Sequence, residues 1–212
     1  MTSIPELVQD FLQQQRIAIA GVSRRNDNAP ANLIFRKLEA TGHEPIAVNP
    51  AMSSYRGTKC YPALGAIPGQ VGAALLAVHP SRAPELVRQC ADCGISRVWM
   101  HRSFGTGSVS DEAVGLCRER GIRVIAGGCP MMYCKPVDFG HKCMRWLLGA
   151  AGGLPKRAAD LRGGGPGPEK HPIVESLLVW NPCGERSVAV GPRRGLRDDA
   201  KGRGGKPAAG NL

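Results

Sequence analysis

Residues 17–50, IAIAGVSRRNDNAPANLIFRKLEATGHEPIAVNP, carry one complete repeat of the fold. Ile17–Val22 is a short β-rich run that ends on a glycine-containing loop. Pro30–Thr41 then sets Leu33, Ile34 and Leu38 on one helical face, and Gly42 is a natural stop. Pro45–Val48 reads as a second strand, broken by Asn49-Pro50. A strand, a helix and a second strand in this order form the unit of a parallel sheet with helices packed on its faces.

The same grammar extends in both directions. Upstream, Pro5–Gln15 places Leu7, Val8, Phe11 and Leu12 at helical spacing. Downstream, Gly72–Val78 is an apolar strand, followed by a helix over about Arg82–Cys93 that Gly94 ends. Arg97–Met100 is a fourth strand. Ser110 caps a helix whose first turn carries Asp111 and Glu112, as the helix dipole prefers, and Gly121 closes it. Ile122–Ala126 is a fifth strand. Asp138–Leu148 is a last helix with Phe139, Cys143, Trp146 and Leu147 near one face. The pattern predicts an α/β fold, a three-layer Rossmann-like doubly wound parallel sheet. An N-terminal helix would occupy residues 1–15 and the sheet domain 16–156.

Beyond Pro155 the periodicity stops. Residues 156–212 contain 11 Gly and 6 Pro. Such composition rarely buries enough apolar surface to offset chain entropy, so 157–212 reads as a mostly disordered Gly/Pro-rich basic tail. Within it, Ile173–Trp180 is the one stretch apolar enough to dock as a short strand or helix.

The 212-residue chain has 28 Lys+Arg against 17 Asp+Glu, a formal net charge of +11. Of that excess, +6 belongs to residues 1–153 and +5 to the remainder. Basic charge on this scale suits nucleic acid or a small polyanion. Aromatics make up only 5% of the chain, and no zinc-finger or RNP-type motif appears, so a base-stacking platform is disfavoured. No apolar run is long enough to span a bilayer, and Met1–Gln15, with Glu6 and Asp10, lacks the pattern of a secretory signal. A cytoplasmic protein without a membrane partner is expected. Its 8 cysteines are then expected as thiols rather than disulfides.

In an open parallel sheet the ligand lies beyond the carboxyl ends of the strands, so the loops after the strands carry the chemistry. The first is Gly21-Val22-Ser23-Arg24-Arg25-Asn26. Glycine lets backbone approach a phosphate, the following helix N-terminus offers N–H groups, and two arginines add charge. G-V-S-R-R-N lacks the later glycines of G-x-G-x-x-G, which leaves a phosphate-bearing ligand in a differently shaped turn, or a plain turn with solvated arginines. The second loop has Asn49-Pro50 where a dinucleotide site would place an acidic ribose clamp, an argument against NAD. His79-Pro80-Ser81-Arg82 follows the third strand, Met100-His101-Arg102 the fourth and Gly127-Gly128-Cys129-Pro130 the fifth.

These loops, in this order, resemble the CoA-binding-domain family of small Rossmann-type proteins, which is related to the nucleotide-binding domain of the succinyl-CoA synthetase α subunit. The matching stretches are IAIAGVSR (17–24), PIAVNP (45–50), GTKCYPALGAIP (57–68), the Val78-His79-Pro80 turn, RVWMH (97–101) and GIRVIAGGCPMMYC (121–134). DFGHKCMRWLLG (138–149) and GLPK (153–156) match the end of one branch. The resemblance covers roughly 16–156 and implies coenzyme A, or an acyl-CoA, across the strand ends. By that analogy Gly21, Val22, Ser23 and Arg24, with Arg25 beside them, hold the pyrophosphate. Asn49 and Pro50 shape the adenine and ribose side. His79, Pro80 and Arg82 line the far wall, and Met100 and Cys129 complete the contacts. A homodimer is compatible with this reading.

Catalysis is less well supported. No carboxylate is placed by spacing to orient His79, His101 or His141, so binding without turnover is favoured. The alternatives are a small enzyme acting on an acyl-CoA or nucleotide-linked substrate through His79 or Cys129, and a nucleic-acid-associated protein working through its tail. Cys129, Cys134, His141 and Cys143 give C-x4-C-x6-H-x-C, a spacing unlike the common zinc knuckles, and Cys143 reads as a packed helix residue. Cys90 and Cys93 lie near a helix C-terminus, where the dipole does not favour thiolate, so packing is again expected.

Overall fold

The computed structural model describes residues 3–103, 107–150 and 154–157. The expected tail over 157–212, with its apolar stretch at 173–180, therefore lies outside the described residues apart from Arg157. Ile4–Leu12 forms α1, opened by a capping box in which Ser3 and Glu6 satisfy each other's backbone N–H groups. Leu7, Val8 and Phe11 face inward from it.

Strand β1 (Arg16–Ala20) leads to α2 (Pro30–Ala40), and Glu44–Val48 returns as β2. A small hairpin follows, β3 (Ser54–Tyr55) and β4 (Thr58–Lys59), which the sequence pattern did not announce. Then come β5 (Ala73–Leu76), α3 (Ala83–Asp92), β6 (Arg97–Met100), α4 (Asp111–Glu119), β7 (Arg123–Ala126), α5 (Phe139–Ala150) and β8 (Lys156–Arg157).

The main sheet runs β2-β1-β5-β6-β7-β8. Its first five strands are parallel, as expected, and β8 adds an antiparallel edge, pairing Ile125 with Arg157 and Ala126 with Lys156. The order reverses between β1 and β5, which makes their carboxyl ends the topological switch point. The central strands are almost wholly buried: Ile17, Ala18, Ile19 and Ala73–Leu76 have no exposed surface.

Two apolar layers flank the sheet. One holds Phe11, Ile34, Phe35, Leu75, Trp99 and Ile125 with the residues of α1 and α2. The other holds Leu76, Val87, Val98, Met100, Val114 and Val124 with α3 and α4. Trp99 anchors the first: Phe11 meets it edge-on at 5.3 Å, and its indole N–H donates to the Gly127 carbonyl at 2.9 Å. Truncating so large a buried ring costs about 3–5 kcal/mol. At the opposite end of the sheet from the loops, Asp10 receives Arg97 at 2.8 Å and Arg123 at 3.0 Å, tying α1 to β6 and β7.

The last helix differs from expectation. Phe139, Trp146 and Leu147 are 82%, 72% and 54% exposed, and Cys143 is exposed rather than packed. The stripe that faces the core is instead His141, Met144 and Leu148, with Met144 and Leu148 joining the first apolar layer. Beneath it lies a single 3-10 turn, Pro130–Met132, so only a narrow stripe finds cover. No helix among the described residues is long and apolar enough to cross a membrane.

Candidate functional site

The carboxyl ends of β1, β2 and β5 converge on Gly21. Its amide donates to the Val48 carbonyl at 3.2 Å, and Ala77 donates to the Ala20 carbonyl at 2.9 Å. Gly21 has φ 106°, and a Cβ there would run into the Ala77 carbonyl and abut the Val78 side chain. Only glycine permits this approach, which brings the backbones of the loops after β1 and β5 together at the switch point.

The loop that follows is held from inside by Asn32. This fully buried side chain accepts from the Ser23 amide at 2.9 Å and donates to the carbonyls of Ser23 at 2.7 Å and Asn26 at 3.0 Å. Ser23 Oγ in turn accepts from the Arg25 amide at 3.1 Å. The Val22 side chain is buried, whereas the Arg24 and Arg25 side chains are exposed. Arg24 also reaches the Ala51 carbonyl at 3.3 Å, which draws the first and second loops together.

Asn49 has a structural duty as well. Its amide donates to the Val22 carbonyl at 2.7 Å, and its side-chain oxygen accepts from the Ala51 amide at 2.8 Å. The residue thus stitches the first two loops to each other, while Pro50 stands exposed beside it. The third loop is shaped by His79, whose Nδ1 lies 2.8 Å from Ser81 Oγ and accepts from the Ser81 amide at 3.4 Å. His79 thereby caps a short 3-10 turn, Pro80–Arg82, that leads into α3, with the Arg82 side chain exposed.

Met100 and Cys129 sit deeper. Met100 has no exposed surface and belongs to the α3/α4 layer. Cys129 is 3% exposed, and burial pushes its thiol up to about 11, so it stays protonated at neutral pH. His101 is 6% exposed, and desolvation lowers it to about 4, which keeps the imidazole neutral. Its Nε2 lies 3.1 Å from Ser103 Oγ.

Three features escaped the sequence reading. Asn32 is a polar residue inside a helix, and nothing in the one-dimensional pattern aims it at the loop behind. Ser108 donates its hydroxyl to the Val78 carbonyl at 2.6 Å and accepts from the Val78 amide at 2.8 Å, joining the loops after β5 and β6. A carboxylate does orient one histidine: Asp138 Oδ2 lies 2.7 Å from His141 Nδ1, and Asp138 Oδ1 accepts from the His141 amide at 3.0 Å. That amide, with the ring beside it, holds the Asp138 carboxyl below its usual range. The D-x-x-H spacing at a helix start was the available signal.

The cysteine motif does not assemble. Cys129 and Cys134 are buried while Cys143 is exposed, and among the described residues no group of three or more His, Cys, Asp or Glu is placed to hold a metal ion. No disulfide joins the described cysteines; Cys183 lies outside them.

Comparison with known proteins bears on the family and the fold. The model of the CoA binding domain family matches residues 15–135. Among curated proteins, an acetate–CoA ligase (ADP-forming) II from Archaeoglobus fulgidus is 32% identical over 95 residues, 44% of this chain but only 14% of the relative's length. Among solved structures, a hypothetical protein from Pyrococcus horikoshii OT3 matches with a TM-score of 0.56 and 26% identity, covering 61% of this chain and 88% of that one. A Thermus thermophilus protein matches with a TM-score of 0.54 and 21% identity, covering 68% and 99% respectively, a likeness of fold.

Proposed function

Because this chain belongs to the CoA binding domain family, we propose that it binds coenzyme A or an acyl-CoA across the carboxyl ends of β1, β2 and β5, without catalysis of its own. The observation that carries the reading is the loop beyond Gly21. A Cβ at Gly21 would strike the Ala77 carbonyl, so only glycine lets the loops after β1 and β5 meet, and the loop that follows exposes Arg24 and Arg25 ahead of the α2 N-terminus. Pyrophosphate suits this place, because a helix dipole and guanidinium groups both favour dense negative charge. Gly21, Val22 and Ser23 would approach it through backbone, with Arg24 and Arg25 as counter-charges. Asn49 and Pro50 would border the ribose and adenine, and His79, Pro80 and Arg82 the far wall. Asn49 in place of an acidic residue removes the repulsion that a 3′-phosphate would otherwise meet. CoA supplies a thiol that carries acyl groups as thioesters.

Isothermal titration calorimetry of the full chain with CoA, dephospho-CoA and NAD tests the proposal. CoA binds tightest, dephospho-CoA more weakly, and NAD weakest. The Arg24→Ala/Arg25→Ala double variant loses affinity for CoA by about thirtyfold, since each contact from a solvent-exposed arginine contributes about 1 kcal/mol. Equal affinities for CoA and NAD, or no heat with CoA, overturn it. The cytoplasm is the setting this reading assigns, since CoA and unpaired thiols both belong to a reducing compartment.

A further inference from the structure

On the α1/α2 side of the sheet, a recess of about 390 Å³ opens between α2, the loops after β6 and β7, and α5. Leu33, Ile34, Met131 and Met144 supply apolar walls, and the polar groups are few: His101, Ser103, His141 and the Cys129 thiol. Among the described residues no lysine or arginine lines it, and the buried His101 is neutral. A mostly apolar recess of this size with a few placed polar groups has the character of a small-molecule site, near the lower end of the usual range of about 300–1,000 Å³.

This recess starts near the N-terminus of α2, which the arginine loop leads into. Pro30, the first residue of α2, lies on its rim, and Leu33 follows directly on Asn32, whose amide grips the arginine loop. Pro30 to Ile34 spans about 6 Å of helix, so the recess begins within about one turn of the α2 N-terminus. On the other side, the His101 carbonyl accepts from the Ser108 amide at 2.8 Å, and Ser108 is bonded to Val78, which lies beside Gly21.

We propose that this recess takes the acyl group of a CoA thioester, and that the group is uncharged, apolar and short to medium in length. The proposal rests on the CoA-binding reading and deepens it: the protein discriminates acyl-CoA from free CoA. The apolar walls desolvate the chain. Ser103 and His141 offer hydrogen bonds to a thioester carbonyl, while the lack of a cationic lining disfavours acyl groups that end in a carboxylate.

Calorimetric titration of the full chain with CoA, acetyl-CoA, butyryl-CoA, hexanoyl-CoA and malonyl-CoA tests it. Affinity rises from CoA to butyryl-CoA by about fourfold per buried methylene, and malonyl-CoA binds no tighter than CoA. Met144→Trp fills the recess and removes the acyl advantage while CoA still binds. Met144→Ala enlarges it and moves the preference to longer chains, and circular dichroism reports whether each variant is folded. Equal affinity for CoA and every acyl-CoA in the native protein overturns the proposal and leaves CoA binding intact. An acyl preference unchanged by both folded variants overturns it too. Failure to bind CoA or any thioester overturns the parent reading instead.

Discussion

Gly21 and Asn32 do most to shape the first loop, one by lacking a side chain and the other by hiding one. Gly21→Ala would drive a methyl group into the Ala77 carbonyl at a positive φ, with backbone rather than a flexible side chain in the way. The expected cost is about 3 kcal/mol or more, which for a chain of this size lowers the melting temperature by roughly 6–12 °C. A melting temperature within about 2 °C of the native protein would contradict the close approach of Gly21 to Ala77. His101 gives a pH test. Its ordinary value of 6.5 falls to about 4 on folding. Protonation therefore favours the unfolded chain, so stability is full above pH 6.5 and declines as pH falls toward 4. Between pH 7.5 and 4.5 the native protein should lose roughly 2–3 kcal/mol more than His101→Gln in urea unfolding. Equal losses would mean that His101 is hydrated in solution.

At the level of elements, periodicity and punctuation carry most of the information. The five parallel strands and α1–α5 were legible because each is an apolar run bounded by Gly, Pro or a capping residue. β3, β4 and β8 are only two residues each, too short for any alternation to register. The facing of α5 was not legible, because Phe139, Cys143, Trp146 and Leu147 form as apolar a stripe as His141, Met144 and Leu148. Which stripe turns inward depends on the narrow 3-10 turn beneath, a feature of three dimensions. Brief alkylation followed by mass spectrometry distinguishes the two facings. Cys143 should be modified well ahead of Cys60, Cys90, Cys117, Cys129 and Cys134, all of them buried. Protection of Cys143 would restore the packed arrangement. The site shows the same division. The order of the loops and their glycine and arginine content were readable, but the hydrogen bonds from Asn32 to Ser23, Asn49 to Val22 and Ser108 to Val78 join residues 9 to 30 positions apart.

Across the whole molecule, charge and topology point to one end of the sheet. The chain's excess of +11 looked at first like a single property of a basic protein. Within the described part, Arg24, Arg25 and Arg82 stand exposed on loops at the carboxyl ends of the strands, whereas Arg97 and Arg123 are paired with Asp10 at the opposite end. Exposed arginines thus stand where the strand order reverses, the place an open α/β sheet uses for its ligand. The most direct test of this claim is amide chemical-shift mapping of the full chain during titration with CoA. The account predicts that the largest shifts fall on residues 21–32, 49–51 and 78–82, with little change along α3 and α4. Shifts centred on the α3/α4 face, or none at saturating CoA, would contradict it.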